Sequence, residues 1–462
     1  MNKTRILLFL AFFSFVPGVF SQRVKEQQVT IENGKFKINN IDFYPIVLNY
    51  QIDIYSVDGN TFFAGPHHGY SSRNNRCCSN ETDALMTLFS DFVRIKEMGF
   101  NCIRLCGLEM EAMSQTKNKN LYFLTKNGQN IENLKVAYSK SNGKILASIL
   151  NKVINEANEA GLKVILLTGK SNLHRHNICD TYADWLSIVS DTLKNNPALF
   201  AYDLYNEPIY SSSVLTSKTE IERITRNWYK TIRKKDKQAL ITYGLMGHED
   251  VMIWDPVVVN CDFVSFHLYP KPNDFGYVEA SLKWIKNNIK KPWIIGETGY
   301  SGSDTAITYP AWGTLDMQKK YAEFAIEKAF CSGAIGFSWW VYRDVFWGSD
   351  QNWFGLIDQK GNFKPAASIF KNQNVELKFT DCNKADDLHY YRTEDCSYQI
   401  KGIVEDEKGT PMQDAVIYGW NKKWEKHVYT FSDKWGNFLL CSSDEISYVK
   451  ISAVGKATIH KI

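Results

Sequence analysis

The chain has 462 residues, of which 44% are hydrophobic and 23% charged. That is the balance of a globular protein with a large core, in a chain longer than one average domain. A net charge of +4 gives no reason to expect a nucleic acid or an acidic membrane surface as partner.

The first 21 residues, MNKTRILLFLAFFSFVPGVFS, have the layout of an export signal. Lys3 and Arg5 form a charged start, the apolar run from Ile6 to Val16 is shorter than the ~20 residues a membrane span needs, and Val19-Phe20-Ser21 supplies small residues at the cleavage end. The expected mature chain starts near Gln22, outside the cytoplasm, with no membrane span. Ten cysteines suit an oxidising compartment. Cys382 and Cys396 flank a short polar stretch and are expected to close a loop. Cys77 and Cys78 have no assigned partners, and Cys102, Cys261 and Cys331 lie in or beside apolar runs and are expected as buried free thiols. Neither CxxC nor HExxH occurs, so no metal and no cofactor are expected.

From about residue 40, short apolar runs alternate with longer amphipathic ones. The spacing predicts strands at 43–49, 101–106, 163–167, 200–205, 239–243, 261–267, 293–296 and 335–340. It predicts helices at 82–98, 144–160, 182–194, 218–235, 276–289 and 315–332. In the second helix Ile145, Ile149, Val153 and Ala157 recur every fourth residue, and Gly161 stops it. Strands alternating with helices predict parallel pairing, and eight units over residues 27–372 predict an α/β fold, a (β/α)8 TIM barrel. No GxGxxG or GxxxxGK[ST] follows a strand, which counts against a nucleotide site. Residues 50–80 and 107–143 are polar and aromatic, and are expected as long irregular loops on the catalytic rim. Residues 373–397 read as a linker. Residues 398–462 switch to short β-type runs separated by turn signals, predicting a small all-β sandwich. Its Gly402–Pro411 opening (G-x-V-x-D-x-x-G-x-P) and Ser432–Phe438 (S-D-x-x-G-x-F) resemble carboxypeptidase-regulatory-like modules. Trp420, Trp424 and Trp435 in this tail are expected in turns and core packing.

In a parallel barrel, catalytic groups sit at the C-terminal ends of strands. Arg104 stands on the second strand, Asn206 and Glu207 at the end of the fourth, His267 and Tyr269 at the sixth, Glu297 at the seventh, and Trp339 and Trp340 at the eighth. Glu207 and Glu297 are 90 residues apart, three strand–helix units. Two carboxylates facing one pocket are what glycosidic cleavage requires: one protonates the leaving oxygen while the other attacks the anomeric carbon.

IRLCG (103–107), YNEP (205–208), FHLYP (266–270), IIGETG (294–299) and GFSWW (336–340) fall on successive strands in an order that resembles the clan A glycoside hydrolases, most closely family 5, the cellulase and mannanase barrels. The resemblance implies Glu207 as general acid/base, Glu297 as nucleophile and net retention, with carboxyl groups about 5–5.5 Å apart. It implies Asn206 on the sugar 2-hydroxyl, Arg104 and Tyr269 holding Glu297, His267 lining the pocket and Trp340 as the platform under the cleaved sugar. The expected partner is a carbohydrate, with β-mannan or β-glucan favoured. The end of the third strand, VILLTGK, lacks the histidine of many relatives, and His67, His68, His174 and His176 take no assigned role. The alternatives are a barrel that binds glycans without cleaving them and, among enzymes, a transglycosylase. The sequence does not indicate an oligomeric state.

Overall fold

The computed structural model describes residues 28–461, except 58, 60, 72–76, 113–120, 128–131, 176–177, 212–215, 273, 306–309, 372–381, 383–395 and 425–426. The expected export signal, nearly all of the expected linker and His176 lie outside the described residues. Among the described residues no helix is long and apolar enough to cross a membrane.

Eight strands form the centre: β1 (Ile46–Ser56), β2 (Cys102–Cys106), β3 (Lys163–Leu167), β4 (Leu199–Asn206), β5 (Leu240–Leu245), β6 (Val264–His267), β7 (Trp293–Glu297) and β8 (Phe337–Trp339). Each pairs in parallel with its sequential neighbour from β1 to β7. β8 pairs with β1, Phe337 opposite Ile46, and the amide of Ile295 donates to the carbonyl of Gly336, so the ring closes. Closure removes the sheet edges, and the strands are buried on both faces, which is why they read as near-continuous apolar runs rather than alternating ones.

The helices are α1 (Glu81–Glu97), α2 (Lys140–Glu159), α3 (Cys179–Leu193), α4 (Lys218–Lys235), α5 (Gly276–Asn288) and α6 (Leu315–Cys331). α1 starts where the Asn80 side chain accepts from the Asp83 amide, and it buries Ala84, Leu88, Phe92 and Ile95 along one stripe, as a surface helix on a sheet must. α4 repeats this with Ser217 as cap and Ile221, Ile224, Trp228 and Ile232 inward. A short antiparallel sheet (Thr30–Glu32, Lys35–Ile38, Ile41–Asp42) precedes the barrel. Its Phe36 packs with Val47, Cys102, Ile165, Phe200 and Phe263, plugging the end where the strands begin.

The two rim stretches depart from the expected irregular loops. β1 runs on past the barrel and pairs antiparallel with Phe62–Pro66. Leu121–Asn127 pairs antiparallel with Glu132–Ala137 and in parallel with the end of β1. These polar-looking segments become ordered because each has one face to bury: Phe62 packs on Phe123, and Tyr55 on Phe63. The result is a β wall standing over β1 and β2.

The cysteine expectations also change. Cys331 is not a free thiol but pairs with Cys382, and Cys396 pairs with Cys441 rather than with Cys382. Cys331 ends α6, where the chain beyond the barrel returns to meet it. The antiparallel pairing of Tyr398–Ile403 with Asn437–Ser442 sets Tyr398 opposite Ser442, which brings Cys396 beside Cys441. Cys102 is a buried free thiol and Cys261 a half-buried one.

The C-terminal strands form two small sheets, Tyr398–Ile403 with Asn437–Ser442, and a four-stranded one of His427–Phe431, Val416–Trp420, Tyr448–Ser452 and Ile459–Lys461. Ala415, Ile417, Leu440 and Val404 are buried between them. The four-stranded sheet docks on the barrel at the 3-10 helix Gly247–Met252, which follows β5, and at α5. Ser452 Oγ donates to the Val251 carbonyl at 3.1 Å, Trp284 Nε1 to the Asp414 carbonyl at 3.1 Å, and Lys218 Nζ to the Ala453 carbonyl at 2.8 Å. Buried His248 packs against Tyr277, Tyr418, Tyr429 and Phe431.

Candidate active site

A cavity of about 620 Å³ opens at the C-terminal ends of the strands, and Arg104, Asn206, Glu207, His267, Tyr269, Glu297 and Trp340 all line it. Glycines make the room. A Cβ on Gly244 of β5 would lie 2.6 Å from His267 Nε2, and one on Gly296 would lie 1.8 Å from Ser265 Oγ. Any side chain at either position would displace the residues that orient the carboxylates.

Glu297 ends β7 and is almost wholly buried. Its Oε1 accepts from Arg104 Nη1 at 2.5 Å and its Oε2 from Tyr269 Oη at 2.8 Å. Both oxygens are therefore fixed, one by a cation and one by a neutral donor. Glu207 follows β4 with φ 45, in the left-handed region that side chains avoid at a cost of about 1 kcal/mol or more. Its amide donates to the Gly244 carbonyl at 2.8 Å, which holds the turn and aims the carboxyl into the cavity.

His267 joins the two acids. Its Nδ1 lies 2.8 Å from Glu207 Oε1 and 3.6 Å from Glu297 Oε1. Nε2 is buried with no hydrogen-bond partner among the described residues, so the tautomer carrying its proton on Nδ1, donating to Glu207, satisfies the ring best. Glu207 then keeps its other oxygen for a substrate proton. One oxygen of each carboxyl lies within 4.8 Å of the other. His267 thus does more than line the pocket: it is a bridge between the acids.

Arg104 contacts Glu297 as expected, and it reaches further partners as well. It is 1% exposed and lies beneath the carboxylates, where it positions groups rather than gripping substrate. Besides Glu297 it donates from Nε to Asp203 Oδ2 at 2.8 Å, from Nη1 to Asn49 Oδ1 at 3.1 Å and from Nη2 to Asn206 Oδ1 at 2.8 Å. With Asn206 Oδ1 occupied, its NH₂ group is left to donate into the cavity. Burial works to lower Arg104, but the negative groups around it, Asp203 and Glu297 among them, outweigh it and hold the guanidinium well above its usual range. Sequence reasoning missed Asp203 and Asn49. A lone charged residue inside the apolar run AYDLYN was the available signal, since a buried carboxylate needs a partner.

Trp339 is buried, its Nε1 donating to the Phe354 carbonyl at 3.1 Å, whereas Trp340 is half-buried at the cavity edge. His174 does not reach the cavity: it is buried against Tyr205 and Trp254, its Nδ1 3.2 Å from Tyr205 Oη. His67 does line it. The Gly69 amide donates to His67 Nδ1 at 3.0 Å, which leaves Nε2 protonated and facing Asp53. Asp53 accepts from the His68 amide and lies 2.7 Å from His68 Nδ1. Glu109, Lys126 and Lys170 complete this polar wall, and burial raises the Glu109 carboxyl above its ordinary range. Asp53, His67 and His68, and likewise Glu207, His267 and Glu297, are close enough to hold a cation. Hydrogen bonds already engage these atoms: His68 with Asp53 and the Gly69 amide with His67 in the first group, His267 with Glu207 and both Arg104 and Tyr269 with Glu297 in the second.

Three buried histidines make stability depend on acid. Burial brings His67 and His174 down to about 4 and His248 to about 3. Below the ordinary 6.5, the unfolded chain binds protons that the folded protein excludes, so stability falls as pH drops from 6.5 towards 4. Burial pushes Asp53 up, but the neighbouring His67 and His68 outweigh it and bring it to about 2, so its contribution is lost only below about 4. Asp344 opposes the trend, because burial, partly offset by Lys364, lifts it to about 6. Burial raises Asp91, Glu109 and Asp250 in the same sense as Asp344, so the histidine contribution is read by substitution: the Tm of His174→Gln minus that of the parent should rise as pH drops from 7 to 5 in calorimetric scans. A difference that stays constant or falls would contradict the His174 assignment.

Comparison with known proteins follows this geometry. No curated protein matches the chain. The family model for Cellulase (glycosyl hydrolase family 5) matches residues 65–343. Among solved structures, a GH5_18 variant from Streptomyces cattleya in complex with Manb1-4GlcNAc is similar at 12% identity and TM-score 0.50, covering 72% of this chain and 82% of that one. A GH2 beta-galacturonidase from Eisenbergiella tayi is similar at 15% identity and TM-score 0.48, covering 75% and 53%. An FMN-binding beta-glucuronidase from Faecalibacterium prausnitzii is similar at 13% identity and TM-score 0.49, covering 94% and 58%. The chain spans about half the length of the Eisenbergiella tayi structure. At such identities the structural likenesses speak for the fold alone. The family match covers more than half the chain, including barrel strands β2 to β8, and the chain belongs to the glycosyl hydrolase family 5 (Cellulase) glycoside hydrolases.

Proposed function

We propose that the protein is an exported, retaining β-glycosidase that removes sugar units from the end of a β-linked glycan, with β-mannan or β-glucan as the favoured substrate class. The observation that carries the reading is the pair Glu207 and Glu297 on the ends of β4 and β7, bridged by His267 with oxygens within 4.8 Å. An inverting enzyme needs its carboxyl groups about 6.5–9.5 Å apart to admit a water.

In the first step Glu297 attacks the anomeric carbon while Glu207 gives its proton to the departing glycosidic oxygen. The C–O bond breaks and a glycosyl ester forms on Glu297. Glu207, now ionised, takes a proton from water, which attacks the same carbon and frees Glu297. Asn206 is placed to donate to the sugar 2-hydroxyl, a contact that strengthens as positive charge develops. Trp340 offers its face to the sugar ring.

The acid sits on the side of the leaving group, so the retained sugar lies towards β1 and β2. The β wall over those strands supports action at chain ends, and His67, Asp53, Glu109 and Lys126 offer it donors and acceptors for hydroxyls. The two disulfides support export to an oxidising compartment. A panel of nitrophenyl β-mannoside and β-glucoside with β-1,4-manno- and gluco-oligosaccharides tests the reading. Single sugars should appear first and polymer viscosity should fall slowly. Rapid viscosity loss would contradict action from chain ends, and no cleavage of any substrate would contradict the activity.

A further inference from the structure

We propose that the C-terminal β domain is part of the substrate site, and that an aromatic face on its four-stranded sheet binds the leaving-group side of the glycan. This rests on the reading of the cavity as a glycosidase site. Among the described residues one that lines the cavity comes from outside the barrel region, His427 of this domain, and it shares the lining with Glu207, Tyr210, Glu249 and Tyr277. Tyr277 Oη donates to Glu249 at 2.7 Å and its ring lies 5.8 Å from Tyr429 of the same sheet. Because Glu207 protonates the departing oxygen, its side of the cavity receives the sugars released with that oxygen.

The sheet has two faces. Ile417, Val428, Val449 and Ile451 point into the domain's own core, and the alternate residues form the other face. At one end of that face Tyr418, Tyr429, Phe431 and Ser452 dock on the barrel. The other end carries His427, which lines the cavity. Trp420 stands opposite both His427 and Tyr448, its ring stacked on Tyr418 at 5.5 Å and near Trp424 at 5.4 Å, and Trp424 stacks on Tyr448 at 4.5 Å. Tyr418 lies 6.0 Å from His427, so the aromatic row continues from the cavity outwards.

Core packing accounts for Tyr418 and for part of Trp420, but not for Trp424. Trp424 is 49% exposed and sits at φ 61, a left-handed conformation that is a true outlier for a bulky residue. The turn bears that strain and leaves half of a large apolar side chain in water. Lys450 Nζ lies over the Trp420 ring, 5.2 Å from its centroid, and 5.8 Å from that of Trp424, a cation–π contact that also sets a hydrogen-bond donor beside the two rings. Flat aromatic faces flanked by a few hydrogen-bonding groups suit pyranose rings, whose apolar faces stack and whose hydroxyls bond at the rim. The face commits to sugar units because it is continuous with the cavity that cleaves them.

The test compares full-length Trp424→Ala with the parent and with Trp435→Ala, whose ring is exposed elsewhere on the same domain. The kcat/KM for β-1,4-linked oligosaccharides of four to six units, divided by that for the nitrophenyl glycoside, should fall about tenfold in Trp424→Ala, a stacking contribution of ordinary size, and hold in Trp435→Ala. An unchanged ratio would overturn the proposal. If the parent cleaves nothing, calorimetry with the same oligosaccharides on Glu297→Gln separates the two readings. About tenfold weaker binding on adding Trp424→Ala supports the platform, and equal binding refutes it. A Trp424→Ala protein with a lowered Tm is replaced by Trp424→Asn, which suits the left-handed turn and removes only the ring.

Discussion

Glu297→Ala should lose at least about 10⁴-fold in kcat, because it removes the atom that bonds to the sugar. Its fold should survive, since Arg104 retains Asp203 as an ion-pair partner at 2.8 Å. Added azide should restore cleavage in this variant by filling the vacated space, and the product should be the α-glycosyl azide. Glu207→Ala should behave differently. With a nitrophenyl glycoside, whose leaving group needs little protonation, the first step should proceed and the second should stall, so kcat falls by about 10²–10⁴-fold while KM falls with it. Azide should rescue this variant with the β-glycosyl azide as product. Two rescues of opposite stereochemistry assign the two roles, and the same product from both variants would exclude the assignment.

Arg104→Ala should be the most damaging substitution outside the carboxylates. The guanidinium contacts Glu297, Asp203, Asn206 and Asn49, and its removal leaves Asp203 and Glu297 buried without a cation. Breaking such a pair costs about 3–5 kcal/mol, enough to lower the Tm visibly. Arg104→Lys separates stability from positioning. An ammonium restores the charge but cannot donate to four partners in one plane. The Lys variant should therefore recover most of the Tm and still lose about 10²-fold or more in kcat, with KM changing less. Parental kcat in Arg104→Lys would show that charge alone suffices and that the fork geometry has no role.

The barrel was legible because its physics is local. Strands buried on both faces must be apolar throughout, helices must bury one stripe, and the alternation of the two gives the parallel order. Residues at the strand ends, such as Glu207 and Glu297, then fall on one rim by counting. What the sequence hid depends on partners far along the chain. Asp203 sits in the middle of β4 and is tolerated only because Arg104 reaches it from β2. Cys331 reads as an apolar thiol at a helix end until the chain beyond the barrel brings Cys382 to it. The rim segments 50–80 and 107–143 look like loops because their burial comes from each other rather than from periodicity. Trp424 looks like a turn residue, and only the docking of the C-terminal sheet on the loop after β5 gives its exposure a direction.

The central claim is a covalent glycosyl-enzyme on Glu297, and mass spectrometry of the intact protein tests it most directly. The 2,4-dinitrophenyl 2-deoxy-2-fluoro-β-glucoside and -mannoside form the intermediate but slow its breakdown. The account predicts that one of them adds a single fluoroglycosyl mass, mapped to the peptide carrying Glu297 and absent in Glu297→Gln. Labelling at another residue, or turnover of an unsubstituted glycoside with inversion of the anomeric centre, would contradict it.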